Sequence, residues 1–322
     1  MSAENSKVGL PISPDDIYKA AKRIGPYVHR TPVLTSARLN EIFGAELFFK
    51  CENFQHIGAF KARGAHNAVF ALNDADASKG VVAHSSGNHA AALCLAAVNR
   101  GISAKIVMPH NSARVKIDAV KRLGGEINFC EPSISAREAG VEDIMARTGA
   151  ALVHPYNDAH VIAGQGTTAL EFLEECPDLD ALLAPIGGGG LLSGCAIIAK
   201  ALKENIFVCG VEPLHANDAF RSWKSGTMQT NTNAETIADG LRGQLGDMAL
   251  DIFLEKIDHV IEVSEEDIVQ AMRLVWSELK IVIEPSSAVP VASLLKQRAC
   301  ISGDKIGIVV SGGNVDLDAL PW

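Results

Sequence analysis

Between Val81 and Val153, short β-patterned runs and amphipathic helical runs take strict turns, and few folds accommodate such an alternation. Val81-Val82-Ala83-His84 reads as a strand, Asn88 to Arg100 as a helix, and Ala104 to Met108 as a second strand. A helix from Ala113 to Leu123, a strand from Ile127 to Cys130, a helix from Ala136 to Arg147 and the strand Ala151-Leu152-Val153 complete the series. Strands and helices joined by short turns build a parallel sheet with right-handed crossovers. The pattern predicts an α/β chain whose small lobe, 77–157, is inserted between two parts of a larger one, 1–76 and 158–322. At 322 residues the chain is long enough for two such lobes. Apolar residues make up 48% but aromatic ones only 5%, so the core must be aliphatic, which suits helices packed over buried parallel strands.

The flanking segments continue the theme. Ser13-Pro14-Asp15-Asp16 is a helix start, with a hydroxyl cap, an early proline and two acids near the positive dipole end. That helix runs to about Ile24. Thr31 to Leu34 is extended, Ala45 to Cys51 alternates like a strand, and a helix beginning near Ala59 reaches about Leu72. Beyond the insert come helices over 162–175, 191–202, 265–280 and 285–297, with strands over 182–186, 206–211, 260–263 and 305–310. His215 to Gly246 reads as irregular and polar.

Composition excludes several function classes. A net charge of −9 with no basic run argues against a nucleic-acid partner. No apolar run approaches a membrane span, and Met1 to Ile12 lack the apolar centre of a signal peptide. The seven cysteines are scattered, with no CxxC, and suit a reducing compartment. A cytoplasmic protein acting on a small molecule is expected.

Four places could carry chemistry. In Gly58-Ala59-Phe60-Lys61-Ala62-Arg63-Gly64-Ala65, Lys61 sits among small and apolar neighbours, with Arg63 the nearest other cation. Desolvation and a like charge both favour the free amine, which can attack a carbonyl and form an imine. A snorkelling surface lysine fits those eight residues too. Gly187-Gly188-Gly189-Gly190, between a strand and a helix, offers four backbone N–H groups to an anion such as a phosphate. It lacks the Gly-Lys-Ser/Thr ending of a nucleotide P-loop and the spacing of a dinucleotide fingerprint. A plain tight turn also fits. Ser85-Ser86-Gly87-Asn88-His89 opens a helix where a carboxylate can be held, or simply caps it. Ser311-Gly312-Gly313-Asn314 ends the last strand. Ligands of parallel sheets lie beyond the carboxyl ends of the strands, so these loops can share one crevice.

Taken together, Gly-Ala-Phe-Lys-Ala-Arg-Gly (58–64), Ser-Ser-Gly-Asn-His (85–89), Ala-Gly-Gln-Gly-Thr (163–167), Gly-Gly-Gly-Gly (187–190), Glu-Pro (212–213) and Ser-Gly-Gly-Asn (311–314) resemble the serine racemase and serine/threonine dehydratase family. Its members are fold-type II pyridoxal phosphate enzymes and include the 3-hydroxyaspartate dehydratases. The resemblance covers nearly the whole chain and implies the two-lobed, tryptophan synthase β-like architecture with mostly parallel sheets and helices on both faces. It implies that Lys61 holds pyridoxal 5′-phosphate covalently and that Phe60 packs on its ring. Asn88 would bond the ring hydroxyl, Gly187, Gly188, Gly189 and Gly190 the phosphate, and Ser311 the ring nitrogen. A serine there cannot hold a ring proton through charge, so the ring is a milder electron sink, which favours expelling a β-substituent over transamination.

The resemblance further implies that Lys61 removes the Cα proton of a 3-hydroxy amino acid, with loss of the β-hydroxyl and breakdown of the enamine product to a 2-oxo acid and ammonia. Ser86 lies where racemising members carry a second acid/base, though a simple N-cap role stays open. Substrate contacts fall on Ser85, Ser86, Gly87, Asn88, His89 and Arg137, the last matching an arginine that can grip a second carboxylate or else stand at the surface. Gly243, where relatives carry a hydroxyl residue, is expected to leave room for an acidic substituent. Ala59 and Tyr156 are further departures, from a serine and an asparagine. These features favour 3-hydroxyaspartate, with serine racemase or catabolic threonine dehydratase as alternatives. Glu212, the Ala216 carbonyl and Asp218 match a divalent-cation site for magnesium, manganese or calcium. A homodimer is implied as well.

Overall fold

The computed structural model describes residues 10–85, 87–112, 114–231 and 234–322. The first stretch holds α1 (Pro14–Ile24), β1 (Val33–Leu34), α2 (Ala37–Phe43), β2 (Glu46–Cys51), α3 (Lys61–Ala71) and α4 (Asp74–Ala77). The middle holds β3 (Val81–His84), α5 (Asn88–Arg100), β4 (Ala104–Pro109), α6 (Arg114–Arg122), β5 (Glu126–Cys130), α7 (Ile134–Thr148) and β6 (Ala151–Leu152). The last begins with α8 (Ala159–Glu175), β7 (Ala181–Pro185), α9 (Gly190–Leu202), β8 (Phe207–Pro213) and α10 (Asp218–Ser225). It ends with α11 (Asp247–Lys256), β9 (His259–Val263), α12 (Glu265–Leu279), α13 (Pro285–Gln297) and β10 (Lys305–Val310).

Two sheets result. The middle stretch forms a four-stranded sheet in the order β5-β4-β3-β6, with every pairing parallel. Its strands alternate between two cores. Val81 and Ala83 pack with α3 and α5, whereas Val82 packs with Val141 and Ile144 of α7. The larger sheet has the order β1-β2-β10-β7-β8-β9 and is parallel throughout except for β1 against β2. All five residues of β7 are buried, because α8 and α9 cover one face and α12 and α13 the other. That is why Ala181-Leu182-Leu183-Ala184 reads as an unbroken apolar run.

The region 215–246 is less irregular than its composition suggests. Among the described residues it contains α10, ended by Gly226 in the left-handed region, and 3-10 turns at Leu214–Ala216 and Asp239–Leu241. Helices α2 and α11 also escape the sequence pattern; α2 has only seven residues, though Ser36 caps its start and Gly44 its end. The lysine helix starts at Lys61, two residues later than expected, because Ala59 is extended and bridges to Gly312.

Candidate active site

Lys61 opens α3, with its Nζ 5.0 Å from the centroid of the Phe60 ring and donating to the Pro155 carbonyl at 2.7 Å. Burial lowers the amine to a pKa of about 8, against a smaller upward pull from Glu284. The like-charge effect expected from Arg63 is absent. Residues two apart face nearly opposite sides of a helix, and Arg63 points into the core. Its guanidinium, fully buried, donates to both oxygens of Glu52 at 2.8 Å and to Glu171 at 2.7 and 2.8 Å. Lys50 joins the same cluster through Glu171 at 2.8 Å. Desolvation alone frees the Lys61 amine.

The loop after β10 lies directly against the lysine segment. Phe60 donates its N–H to the Ser311 carbonyl at 3.0 Å. Gly58 has φ +70°, and a Cβ there would fall 2.7 Å from Asn314 Oδ1, so only glycine fits. The Ser311 hydroxyl, 2% exposed, is 3.0 Å from Ser287 Oγ. Ser287 in turn donates to the Gly312 carbonyl at 2.6 Å and accepts the Gly312 N–H at 2.7 Å.

Asn88, the first residue of α5, is fixed from the opposite lobe. Its amide donates to Glu284 at 3.0 and 3.3 Å, and its Oδ1 accepts from Asn314 at 2.9 Å. Glu284 is pushed up to about 7 by burial and then by Asp239, against the Asn88 hydrogen bond. Sequence reasoning passed over this carboxylate. The signal was a lone acid in Ile281-Val282-Ile283-Glu284-Pro285, an apolar approach to a proline-started helix.

The glycine turn serves packing and ligand binding at once. Gly189 has φ +83° and caps α9. A Cβ on Gly188 would lie 2.1–2.4 Å from three atoms of the Tyr156 ring, and one on Gly187 would lie 3.1 Å from Leu241 Cα. One side of the turn is therefore filled by Tyr156 rather than open. Among the described residues the N–H groups of Gly187, Gly188 and Gly189 find no acceptor. Tyr156 is also the neighbour of Gly243: a Cβ there would sit 3.4 Å from Tyr156 Cε1, in ordinary van der Waals contact, so the glycine leaves one carbon's worth of space beside the ring.

In the Ser85–His89 loop, Ser86 lies outside the described residues. Gly87 donates to Ser85 Oγ at 3.2 Å, and space beside Gly87 is open. His89 differs from expectation: its side chain is 2% exposed, its Nε2 contacts the Val153 carbonyl at 2.9 Å, and burial pushes it down to about 3. Only its backbone can meet a substrate. Arg137, in the first turn of α7, has a buried Nε with no hydrogen-bond partner. Its charge, after burial, holds the His84 imidazole below its usual range.

Glu212, Ala216 and Asp218 come together at the end of β8, each at most 2% exposed. Burial raises Asp218, and burial together with Asp218 raises Glu212 well above the carboxylate range. Glu212 accepts the Phe220 N–H, while Asp218 accepts from Asn231 at 2.6 Å and from the Leu245 N–H at 2.7 Å. No cluster of three or more His, Cys, Asp or Glu suited to a metal occurs among the described residues. Two buried carboxylates flanking a carbonyl still suit a hard divalent cation.

A buried amine, a glycine turn with free N–H groups at a helix start and a sheltered hydroxyl on one cleft define an enzyme built around an aldehyde-bearing phosphate cofactor. The family model described as pyridoxal-phosphate dependent enzyme matches residues 24–312, and the chain belongs to that family. It is 50% identical to a beta-hydroxyaspartate dehydratase of Paracoccus denitrificans, over 96% of this chain and 98% of that one. A serine racemase of Oryza sativa subsp. indica is 49% identical over 94% of this chain and 91% of its own. The structure of maize serine racemase superposes with a TM-score of 0.94 at 47% identity, covering 95% of each chain.

Proposed function

We propose that the protein eliminates water from a 3-hydroxy amino acid, 3-hydroxyaspartate before serine or threonine, the resulting enamine then taking up water to give a 2-oxo acid and ammonia. The observation that carries the reading is Arg137, whose buried Nε has no hydrogen-bond partner among the described residues and whose charge reaches His84 at the end of β3, leaving it a ready partner for a second carboxylate. The similarity to a protein named beta-hydroxyaspartate dehydratase supports it. Residues 77–157 act as the smaller lobe on the discontinuous larger one.

Bound pyridoxal phosphate supplies an aldehyde for amine exchange and a ring that accepts the electron pair left at Cα. The N–H groups of Gly187–Gly190 would hold its phosphate, Asn88 would bond its hydroxyl, and Ser311 would bond its nitrogen. The Lys61 Nζ would take the Cα proton; burial has already weakened its hold on a proton. The backbone of the Ser85–His89 loop orients the α-carboxylate at the start of α5. Ser86 is the candidate second acid/base, which keeps racemisation in the test. Glu212, Asp218 and the Ala216 carbonyl hold a magnesium, manganese or calcium ion. The protein works as a cytoplasmic homodimer, in keeping with seven free cysteines and, among the described residues, no helix able to cross a membrane.

A 2-oxo acid release screen over serine, threonine and the four 3-hydroxyaspartate isomers, with and without chelator, tests this reading. The highest kcat/KM is expected for a hydroxyaspartate isomer, with a loss on chelation. Chiral analysis of residual serine separates a racemase. Lys61→Ala should lower turnover by at least about a thousandfold and abolish the visible absorbance of the bound cofactor; full turnover in that variant would end the reading.

A further inference from the structure

Tyr156 is not used by the mechanism above, yet it stands in the middle of the cleft. It follows Pro155, whose carbonyl holds the Lys61 amine. The base of its ring lies over Gly188, and its hydroxyl end passes Gly243, where a Cβ would lie 3.4 Å from Cε1 and 3.8 Å from Cζ. A Cβ on Gly190 would lie 3.0 Å from the Tyr156 carbonyl and 3.2 Å from its Cβ. The bare positions Gly188 and Gly190 thus make space for one aromatic residue, whose outer end borders Gly243. The ring meets His154 edge-on at 4.6 Å, and His154 meets His84 edge-on at 5.8 Å. His154 Nδ1 accepts the Asn157 N–H at 2.9 Å, which locks this row of rings. At its far end, His84 feels Arg137 and Glu138 of α7.

The phenol itself is unengaged. Tyr156 is half-buried, and among the described residues its hydroxyl makes no hydrogen bond. Burial, then Asp218 from the larger lobe and Glu138 from the smaller one, raise its pKa, so it remains a protonated donor at neutral pH. The Nε of Arg137 is likewise buried and without a hydrogen-bond partner among the described residues, and Arg137 acts on His84, at the far end of the ring row that Tyr156 begins. One carboxylate can accept from both, since each of its oxygens carries two acceptor sites.

We propose that Tyr156 is a specificity-determining residue whose hydroxyl donates to the distal carboxylate of an acidic 3-hydroxy amino acid while Arg137 grips the other oxygen. This rests on the reading of the site as one for a substrate with a second carboxylate. The pair would span the cleft, with Arg137 on the small sheet's helix and Tyr156 against the glycine turn.

Tyr156→Phe keeps the ring on Gly188 and removes only the donor. In the holoenzyme, the ratio of KM for 3-hydroxyaspartate to KM for serine should rise by about tenfold or more, with kcat for each within about twofold. The Kd of succinate, a non-reacting dicarboxylate titrated by calorimetry, should weaken about as much in Tyr156→Phe and in Arg137→Gln. Cofactor affinity, measured by fluorescence titration of the cofactor-free protein, should not move. An unchanged succinate Kd in Tyr156→Phe overturns the assignment, as does an equal KM rise for both substrates. If the native enzyme prefers serine, the substrate reading fails, and the succinate titration still decides whether the hydroxyl binds a distal carboxylate.

Discussion

Replacing Glu284 with glutamine should stabilise the cofactor-free protein, and by more as the pH rises. Glu284 is raised from an ordinary 4.5 to about 7, chiefly by burial. An acid with a higher pKa folded than unfolded binds its proton more tightly in the folded state. Folding stability therefore falls as pH climbs from the unfolded value towards the folded one, and is level above it. A shift of roughly 2.5 units corresponds to about 3.4 kcal/mol at pH 8.5, and to about 1.4 kcal/mol at pH 5.5. Glutamine keeps the shape, cannot ionise and still accepts the 3.0 Å bond from Asn88. It also turns an N–H₂ towards the Asn88 amide in place of the 3.3 Å contact, a cost of about 1 kcal/mol that does not vary with pH. The variant should therefore gain about 2 kcal/mol on the native protein between pH 5.5 and pH 8.5. Urea unfolding at those two pH values, extrapolated to water, measures the difference. A gap that is the same at both pH values, or that favours the native chain more at the higher one, refutes the reasoning.

Two further variants probe what surrounds the site. Arg63→Met leaves Glu52, which has no exposed surface, facing only the Thr31 hydroxyl, and should cost about 3–5 kcal/mol; a loss below about 1 kcal/mol in guanidinium unfolding would contradict the burial of that pair. Gly188→Ala drives a methyl into the Tyr156 ring and should cost about 1–3 kcal/mol and weaken cofactor affinity. Adding Tyr156→Ala should restore most of the stability, and failure to do so would mean that the ring is not what excludes a side chain.

What could be read in advance depended on how far apart in sequence the interacting groups lie. Lys61, the glycine turn and the serine-glycine loops announce themselves within runs of four to eight residues. The alternation of 81–153 likewise carries its own fold, because each β-α step is local. Glu284 is different: its partner Asn88 is 196 residues away, and no periodicity couples them. Arg63 was misjudged because adjacency in the chain stood in for adjacency in space, when the helix turns it away from Lys61. That Gly243 borders Tyr156 was hidden for a related reason, since the ring comes from another segment. The helix turns the His89 ring inward onto Val153, a contact across 64 residues that the five-residue motif does not show. Short helices such as α2 span too few turns for an apolar stripe to show.

The order of strands in the larger sheet bears on how the chain is made. β10 lies between β2 and β7, so the centre of that sheet stays gapped on the ribosome until residues 305–310 emerge. The four-stranded sheet draws on residues 81–152 alone and can close long before then. A nascent chain stalled near residue 250 should carry a finished insert on an unfinished host, with Leu47, Phe49 and Leu183 still waiting for Ile306 and Ile308. During synthesis those uncovered side chains are the natural place for a chaperone to sit.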